Sequence, residues 1–280
     1  MKFRLYREYG ALNSTEVFNA FSKGIRSLGH TEVSNNEDVS VIWSVLWKGR
    51  MRLNQQVYDT AKKQGRPIII IEVGNLKRGT TWRICLDNIN GAGDFGNDSD
   101  LDHNRSNLLG VNLRPVKENR KREILICSQL PESLQWQGMP PMETWIKQTV
   151  DQIRRYTDRK IIIRPHPRSF VRTNIPGCRL ELPKKLPNTY DDFDIDYDYH
   201  CVVNHNSGPA VQAAIFGTPV ICDRSSLAYP VSDRIENIEN ISLPDRDTWF
   251  LQLCHTEWTV KEISQGTPLQ RLLKKISEKS

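Results

Sequence analysis

Two hydrophobic periods take turns along this chain. Short runs that are apolar throughout predict buried strands, and apolar positions three and four apart predict helices between them. Lys2–Tyr6 reads as a first strand and Tyr9–Ser14 as a loop. Asn13 with Glu16 three residues on is a capping-box pattern, and Val17, Phe18, Phe21, Ile25 and Leu28 form the stripe of the helix that follows. Val39–Trp43 is a second strand. Arg52–Gln64 is a helix closed by Gly65 and Pro67, and Ile68–Val73 is a strand with the four-isoleucine run that parallel sheets bury on both faces. The next forty residues are rich in Gly, Asn and Asp and predict irregular structure.

Arg114–Arg122, with one proline and six charges, reads as a linker. A second alternation follows it. Glu123–Cys127 is a strand, Glu143–Tyr156 a helix, and Lys160–Arg164 and His200–Val203 are strands. Pro209–Phe216 is a short helix, and Gly217–Pro219 turns the chain into the strand Val220–Cys222. From about Arg246 the tail is helical. The pattern predicts an α/β protein of two Rossmann-like domains, residues 1–118 and 119–280, with a cleft between them. Ligands of such folds bind beyond the carboxyl ends of the strands.

Composition narrows the class. The 280 residues include 38% hydrophobic ones, enough for a large core, and no apolar run approaches the ~18 residues of a membrane helix. The N-terminus lacks the apolar segment of a signal peptide. The six cysteines form no CxxC pair, which fits reduced thiols in a cytoplasm and makes a zinc site a poor expectation. Net charge is +6, which permits an anionic partner without demanding one. Its placement says more. Lys48, Arg50 and Arg52 fall together, as do Arg114, Lys117, Arg120, Lys121 and Arg122. A third group comprises Arg154, Arg155, Arg159, Lys160, Arg164, Arg168 and Arg172.

Three segments at strand ends carry candidate chemistry. In Ile163-Arg164-Pro165-His166-Pro167-Arg168, two prolines stiffen the backbone around a histidine, and two arginines favour an anion. In Val203-Asn204-His205-Asn206-Ser207-Gly208-Pro209, a strand runs through a polar turn into a helix that Ser207 or Asn206 can cap. Such a helix start binds phosphate through N–H groups and the helix dipole. Ser207 adds a hydroxyl, and Gly208 permits close approach. In Ala213-Ala214-Ile215-Phe216-Gly217-Thr218-Pro219, small residues pack a helix closely on its sheet.

In this order and spacing, over residues 123–225, the three segments resemble the second domain of GT-B-type glycosyltransferases. The similarity is to families with an HP motif and a later serine motif: bacterial sialyltransferases, Kdo-type capsule transferases and, more loosely, the glycerophosphotransferases of teichoic-acid synthesis. The resemblance implies that His166 and Ser207 contact the phosphate of a nucleotide-sugar donor; the residues themselves put Arg164, Arg168, Asn206 and Gly208 on the expected donor side. Asn206-Ser207 departs from the commoner Ser-Ser pair, which leaves the donor's base and sugar open. A helix start, a hydroxyl, a histidine and arginines can stabilise the leaving phosphate, so no metal and no further cofactor is expected.

Glycosyl transfer also needs a base for the acceptor hydroxyl. Glu72, at the end of the isoleucine strand, is the leading candidate, a carboxylate expected to be half-desolvated there. Its layout is also similar to that of phage DNA β-glucosyltransferases. It could equally be a strand-end carboxylate paired to Arg78 or Arg83. Asp94, Asp98, Asp100 and Asp102 stand in reserve. Trp43, Ser44, Trp47, Lys48 and Arg50, with Arg78, form the expected acceptor side, the tryptophans stacking on a base or sugar or else lying in the core. Asp191 to Asp198 alternates acid with apolar residues and contains DxD spacing, read as a solvated edge in preference to a metal site. The basic clusters and tryptophans point to a phage-type DNA glycosyltransferase acting on a hydroxymethylated base. A transferase for cell-surface or capsular glycans is the close alternative. A non-catalytic nucleic-acid-binding protein and a nucleotide-binding regulatory protein are further ones.

Overall fold

The computed structural model describes residues 1–118, 120–171, 174–189 and 193–279. Arg172, Asp191 and Asp192 lie outside the described residues. The elements in chain order are β1 (Lys2–Leu5), α1 (Thr15–Ser27), β2 (Thr31–Glu32), β3 (Val39–Trp43), α2 (Asn54–Lys63), β4 (Ile68–Val73), β5 (Thr81–Leu86) and α3 (Arg105–Leu109). They continue with β6 (Ile124–Cys127), α4 (Met142–Ile153), β7 (Ile161–Arg164), β8 (Cys178–Leu180), β9 (Lys184–Lys185), β10 (Phe193–Asp194), β11 (Cys201–Asn204), α5 (Gly208–Phe216) and β12 (Val220–Ile221). The chain closes with α6 (Asp247–Cys254), β13 (Glu257–Thr259), α7 (Val260–Ser264) and α8 (Thr267–Lys279). Among the described residues no helix is long and apolar enough to cross a membrane.

The chain forms two compact units. One comprises Met1–Gly110, Glu132–Leu134 and Leu251–Ser280, and the other Val111–Pro131 and Gln135–Phe250. The first unit has a sheet of order β13-β5-β4-β3-β1-β2, in which β2, β1, β3 and β4 are parallel and β5 runs antiparallel to both of its neighbours, β4 and β13. The isoleucines Ile68 to Ile71 are fully buried at its centre. The α1 stripe of Val17, Phe18, Phe21 and Ile25 packs on the sheet, and both follow from the hydrophobic pattern. The expected Asn13–Glu16 capping box does not form, because Ser14 is the N-cap and its side chain caps nothing. The reciprocal box is made instead by Thr259 and Glu262 at the start of α7.

The tail and the Gly-rich region depart from expectation. Leu251 onward groups with the first unit, where a boundary at residue 118 had placed it with the second. The reason is burial: Trp258, Ile263, Leu269, Leu272 and Ile276 complete the first unit's core, and β13 pairs with β5 through Trp258 opposite Trp82. Thr81–Leu86, inside the stretch expected to be irregular, is a strand because it pairs along Trp82–Leu86 with β4 and along Thr81–Arg83 with β13.

The second unit has an all-parallel sheet of order β12-β11-β6-β7-β8. Helix α4 covers one face with Met142, Ile146, Val150 and Ile153. The segment Arg114–Arg122 is no linker, since it is built into this unit. Its backbone bonds the end of α5 (Arg114 N to Ile215 O, 2.9 Å; Lys117 N to Gly217 O, 3.0 Å). Arg114 and Lys117 lie over the Phe216 ring at 4.5 and 3.9 Å. Gly217 has φ of 90°, and a Cβ there would meet Pro115 O at 2.0 Å, so this docking needs glycine. Lys117 pairs with Asp198 at 3.2 Å, and Lys121 pairs with Asp196. The basic segment and the acidic patch thus neutralise one another. Among the described residues no His, Cys, Asp or Glu group is arranged to hold a metal. The six cysteines are free thiols, and burial pushes Cys127 and Cys201 up to about 12.

Candidate active site

In the second unit the strand order reverses where β6 lies between β7 and β11, and the carboxyl edge at such a reversal is where the ligand crevice of an open α/β sheet is expected. The loops after β6 and β11 carry Ser128 and Gln129 on one side and His205, Asn206 and Ser207 on the other. The loop after β7 brings His166 to the same edge: Ser128 N donates to Arg164 O at 3.0 Å, and His166 N donates to Ser128 Oγ at 2.9 Å. The Arg168 N–H donates to His166 Nδ1 at 3.1 Å. The neutral ring therefore carries its proton on Nε2, the tautomer that can donate to a phosphate oxygen.

Ser207 is the N-cap of α5 by its backbone (φ −85°, ψ 170°), yet its side chain makes no cap bond. Asn204 explains this, since its Nδ2 donates to both Ser207 O (2.9 Å) and Ser207 Oγ (3.0 Å). The hydroxyl is held as an acceptor at the strand end, with its own hydrogen directed elsewhere. Asn204 is 3% exposed, and its Oδ1 has no partner among the described residues. Gly208 and Pro209 open α5, so its first turn has free N–H groups at Gly208 and Ala210, Pro209 having none, and Gly208 carries no side chain.

Asn206 is a tie between loops. Its N donates to Gln129 Oε1 (3.3 Å), and its Nδ2 donates to Ser225 Oγ (2.9 Å), which donates in turn to Asp223 Oδ1. His205 stacks edge-on against Trp136 at 5.4 Å. Burial pushes its pKa below the usual value despite the pull of Asp223. Sequence reasoning missed Gln129, Trp136 and Asp223. Only the Glu123–Cys127 strand pointed toward them, because whatever follows that strand must line the crevice.

Arg164 does not reach the crevice as a ligand group. It is 5% exposed, and its guanidinium donates to Glu181 Oε1 (2.5 Å), Asp196 O (2.9 Å) and Tyr199 Oη (3.3 Å). Strand alternation puts Ile161 and Ile163 on the α4 face and Arg164 on the other. Arg168 is exposed beside His166. Burial raises the Glu181 carboxyl, but bonds from Arg164 and Tyr199 outweigh it and hold the group below its ordinary range. The stability this pair lends is present above the ordinary glutamate value of about 4.3 and is lost as pH falls through the lowered one. Thermal unfolding followed by circular dichroism should show this loss in acid, and Glu181→Gln should flatten that part of the curve.

In the first unit Ser44 follows β3 and Glu72 lies near the end of β4. Ser44 is 5% exposed with φ of 64°, a left-handed backbone costing on the order of 1–3 kcal/mol in a non-glycine residue. Its N–H donates to Ile71 O (2.8 Å), and its Oγ donates to Glu72 Oε2 (2.7 Å) and accepts from Leu46 N (3.2 Å). Glu72 Oε1 accepts from Val73 N at 2.8 Å. Arg83, opposite Glu72 in register, donates to Val73 O (3.2 Å) and Ile89 O (2.9 Å). The structure thus joins two expected site residues into a hydrogen-bonded pair at the carboxyl edge of one sheet. Asn54, also missed, is fully buried and ties Trp43 O (2.7 Å) to Tyr9 O (3.3 Å) across the point where this sheet's order reverses.

The rest of the expected acceptor side divides. Trp43 is 2% exposed and packs on Phe18, so it belongs to the core and is no stacking platform. A parallel strand buries both faces. Trp47 is half-buried against Tyr58 at 5.8 Å. Lys48 pairs with Glu132 at 2.7 Å. Arg50 and Arg52 are exposed and line a shallow pocket with Glu8, Tyr9, Gly49 and Leu53, and Arg78 is exposed on the turn after β4. The reserve acids are engaged elsewhere. Asp98 pairs with Lys275 (2.7 Å) and Asp100 with Lys274 (2.9 Å), while Asp94 and Asp102 accept from the N–H groups of Gly96 and Asn104.

No protein-family model and no curated protein matches the chain. Solved structures do. A β-Kdo 2,7 transferase, KpsC of Thermosulfurimonas dismutans, is similar over 96% of this chain and 99% of its own, with a TM-score of 0.52 at 13% identity. The β-Kdo 2,4 transferase of the same KpsC is similar over 91% and 90%, with a TM-score of 0.50 at 11% identity. A third, the UDP-GlcNAc 2-epimerase of Methanocaldococcus jannaschii, has a TM-score of 0.34, too low to inform the fold. With two α/β units, one on a mixed sheet and one on a parallel sheet, and likeness to the two transferase structures over nearly the whole chain, the protein has a GT-B-type fold of two Rossmann-like domains.

Proposed function

We propose that the protein is a glycosyltransferase that moves a sugar from a nucleotide-sugar donor to a hydroxyl of a glycan. The observation that carries the reading is the set of donors at the carboxyl edge of the second unit: the His166 imidazole, the Ser207 hydroxyl and the open first turn of α5. As the bond from the anomeric carbon to the phosphate oxygen breaks, negative charge grows on the nucleotide's phosphate. Fixed hydrogen-bond donors there stabilise that charge. Arg168 adds positive charge nearby, whereas Arg164 and Asn206 act by holding the loops. In the first unit Glu72, with Ser44 setting the carboxylate's direction, is the base proposed for the proton of the acceptor hydroxyl.

A glycan acceptor is favoured by the two structural neighbours, both Kdo transferases. The DNA acceptor loses part of what favoured it, since Trp43 lies in the core and Lys117 and Lys121 are paired with Asp198 and Asp196. The test is a panel of nucleotide sugars, each with oligosaccharides or with plain or hydroxymethylated DNA, read by mass spectrometry with and without a chelator. One donor should yield a glycosylated oligosaccharide and free nucleotide, and transfer should survive the chelator. Sugar found only on hydroxymethylated DNA would restore the nucleic-acid reading. Loss on chelation with rescue by manganese would contradict a metal-independent site. No nucleotide release with any pair would contradict a transferase.

A further inference from the structure

Glu257 on β13 is a carboxylate with no exposed surface. Such a group costs several kcal/mol to bury unless donors meet its oxygens, and here three do. Asn75 N and Leu76 N (3.1 Å) donate to Oε1, and Leu76 N (3.0 Å) and Thr81 Oγ1 (2.8 Å) donate to Oε2. Two of the three belong to the turn that immediately follows Glu72 and Val73. The fit is close: a Cβ on Gly74 would lie 2.3 Å from Glu257 Oε2 and 2.6 Å from Thr81 O, so only glycine lets the turn close on the carboxylate.

We propose that Glu257 is a positioning residue for Glu72, a role that rests on the reading of Glu72 as the base. The amides of Asn75 and Leu76 need an acceptor, and without Glu257 the carboxylate nearest along the chain is Glu72 itself. By taking those bonds, Glu257 leaves Glu72 turned toward Ser44 and open to the acceptor hydroxyl. The C-terminal strand is thereby part of the reactive edge of the first unit.

Glu257→Gln keeps the shape but sets an NH2 group against an N–H donor. Its expected effect is a fall in kcat of about 10²-fold, the scale of a misplaced catalytic group, with KM for both substrates unchanged. Glu72→Gln alone should lose turnover, and the double variant Glu72→Gln/Glu257→Gln should lose no more than Glu72→Gln. If Glu257→Gln folds poorly, Thr81→Val removes one donor to the carboxylate and should lower kcat in the same direction with KM unchanged. Wild-type kcat in Glu257→Gln, or in Thr81→Val where that variant decides, would overturn the proposal, as would losses that multiply in the double variant. Full turnover in Glu72→Gln would instead overturn the reading of Glu72 as base, so the two failures are distinct.

Discussion

Replacing Glu72 with glutamine is expected to lower kcat by about 10²–10⁴-fold, the usual contribution of a positioned base, while leaving the affinity for the nucleotide sugar unchanged. Glutamine keeps the volume and can still accept from Ser44 Oγ, now 2.7 Å from Glu72 Oε2, so the strand end should hold its shape. Only the proton acceptor is removed. The left-handed Ser44 backbone, at φ of 64°, is the conformation in which its Oγ bonds both Glu72 Oε2 and Leu46 N. Steady-state kinetics with donor binding measured separately checks this. A parallel loss of donor affinity would make Glu72 a structural carboxylate.

Replacing His166 with alanine is expected to cost about 10²–10³-fold in kcat, the scale of one lost donor to a developing anion, and here donor affinity should fall as well. The ring's tautomer is fixed from its own loop by Arg168 N, and the backbone is held by Ser128 Oγ. Truncation therefore removes the Nε2 donor and the acceptor of the Arg168 N–H, while the bonds from His166 N to Ser128 Oγ and from Ser169 N to His166 O still hold the backbone. The contrast between the variants is informative. Loss of Glu72 should affect the chemical step alone, and loss of His166 should affect both binding and chemistry.

The second unit was the more legible from sequence. Pro165, His166, Pro167, Ser207, Gly208 and Pro209 punctuate strand ends locally, and local backbone signals survive folding. The isoleucine strand was legible for a similar reason, since a run apolar on both faces has few other places to go. What failed was tertiary. Thr81–Leu86 becomes a strand by pairing with β4, and Glu257–Thr259 becomes one by pairing with Thr81–Arg83 from far along the chain; neither announces that alone. The charges of Arg114–Arg122 looked available to a polyanion because their partners, Asp196 and Asp198, lie far along the chain. Trp43 looked like a platform because it ends a strand, whereas its strand is buried on both faces. Ser44 and Glu72 were each named, but their hydrogen bond follows from the parallel register of β3 and β4, which no local pattern reports.

The central claim is that the carboxyl edge of the second unit holds the phosphate of a nucleotide-sugar donor. Calorimetric titration of a nucleotide-sugar panel into the wild type and into His166→Ala, Ser207→Ala and Glu72→Gln tests it most directly. The account predicts one donor class bound by the wild type and by Glu72→Gln alike, and bound at least tenfold more weakly by His166→Ala and Ser207→Ala, about 1.4 kcal/mol or more. Equal binding by all four proteins, or binding by none, would contradict it.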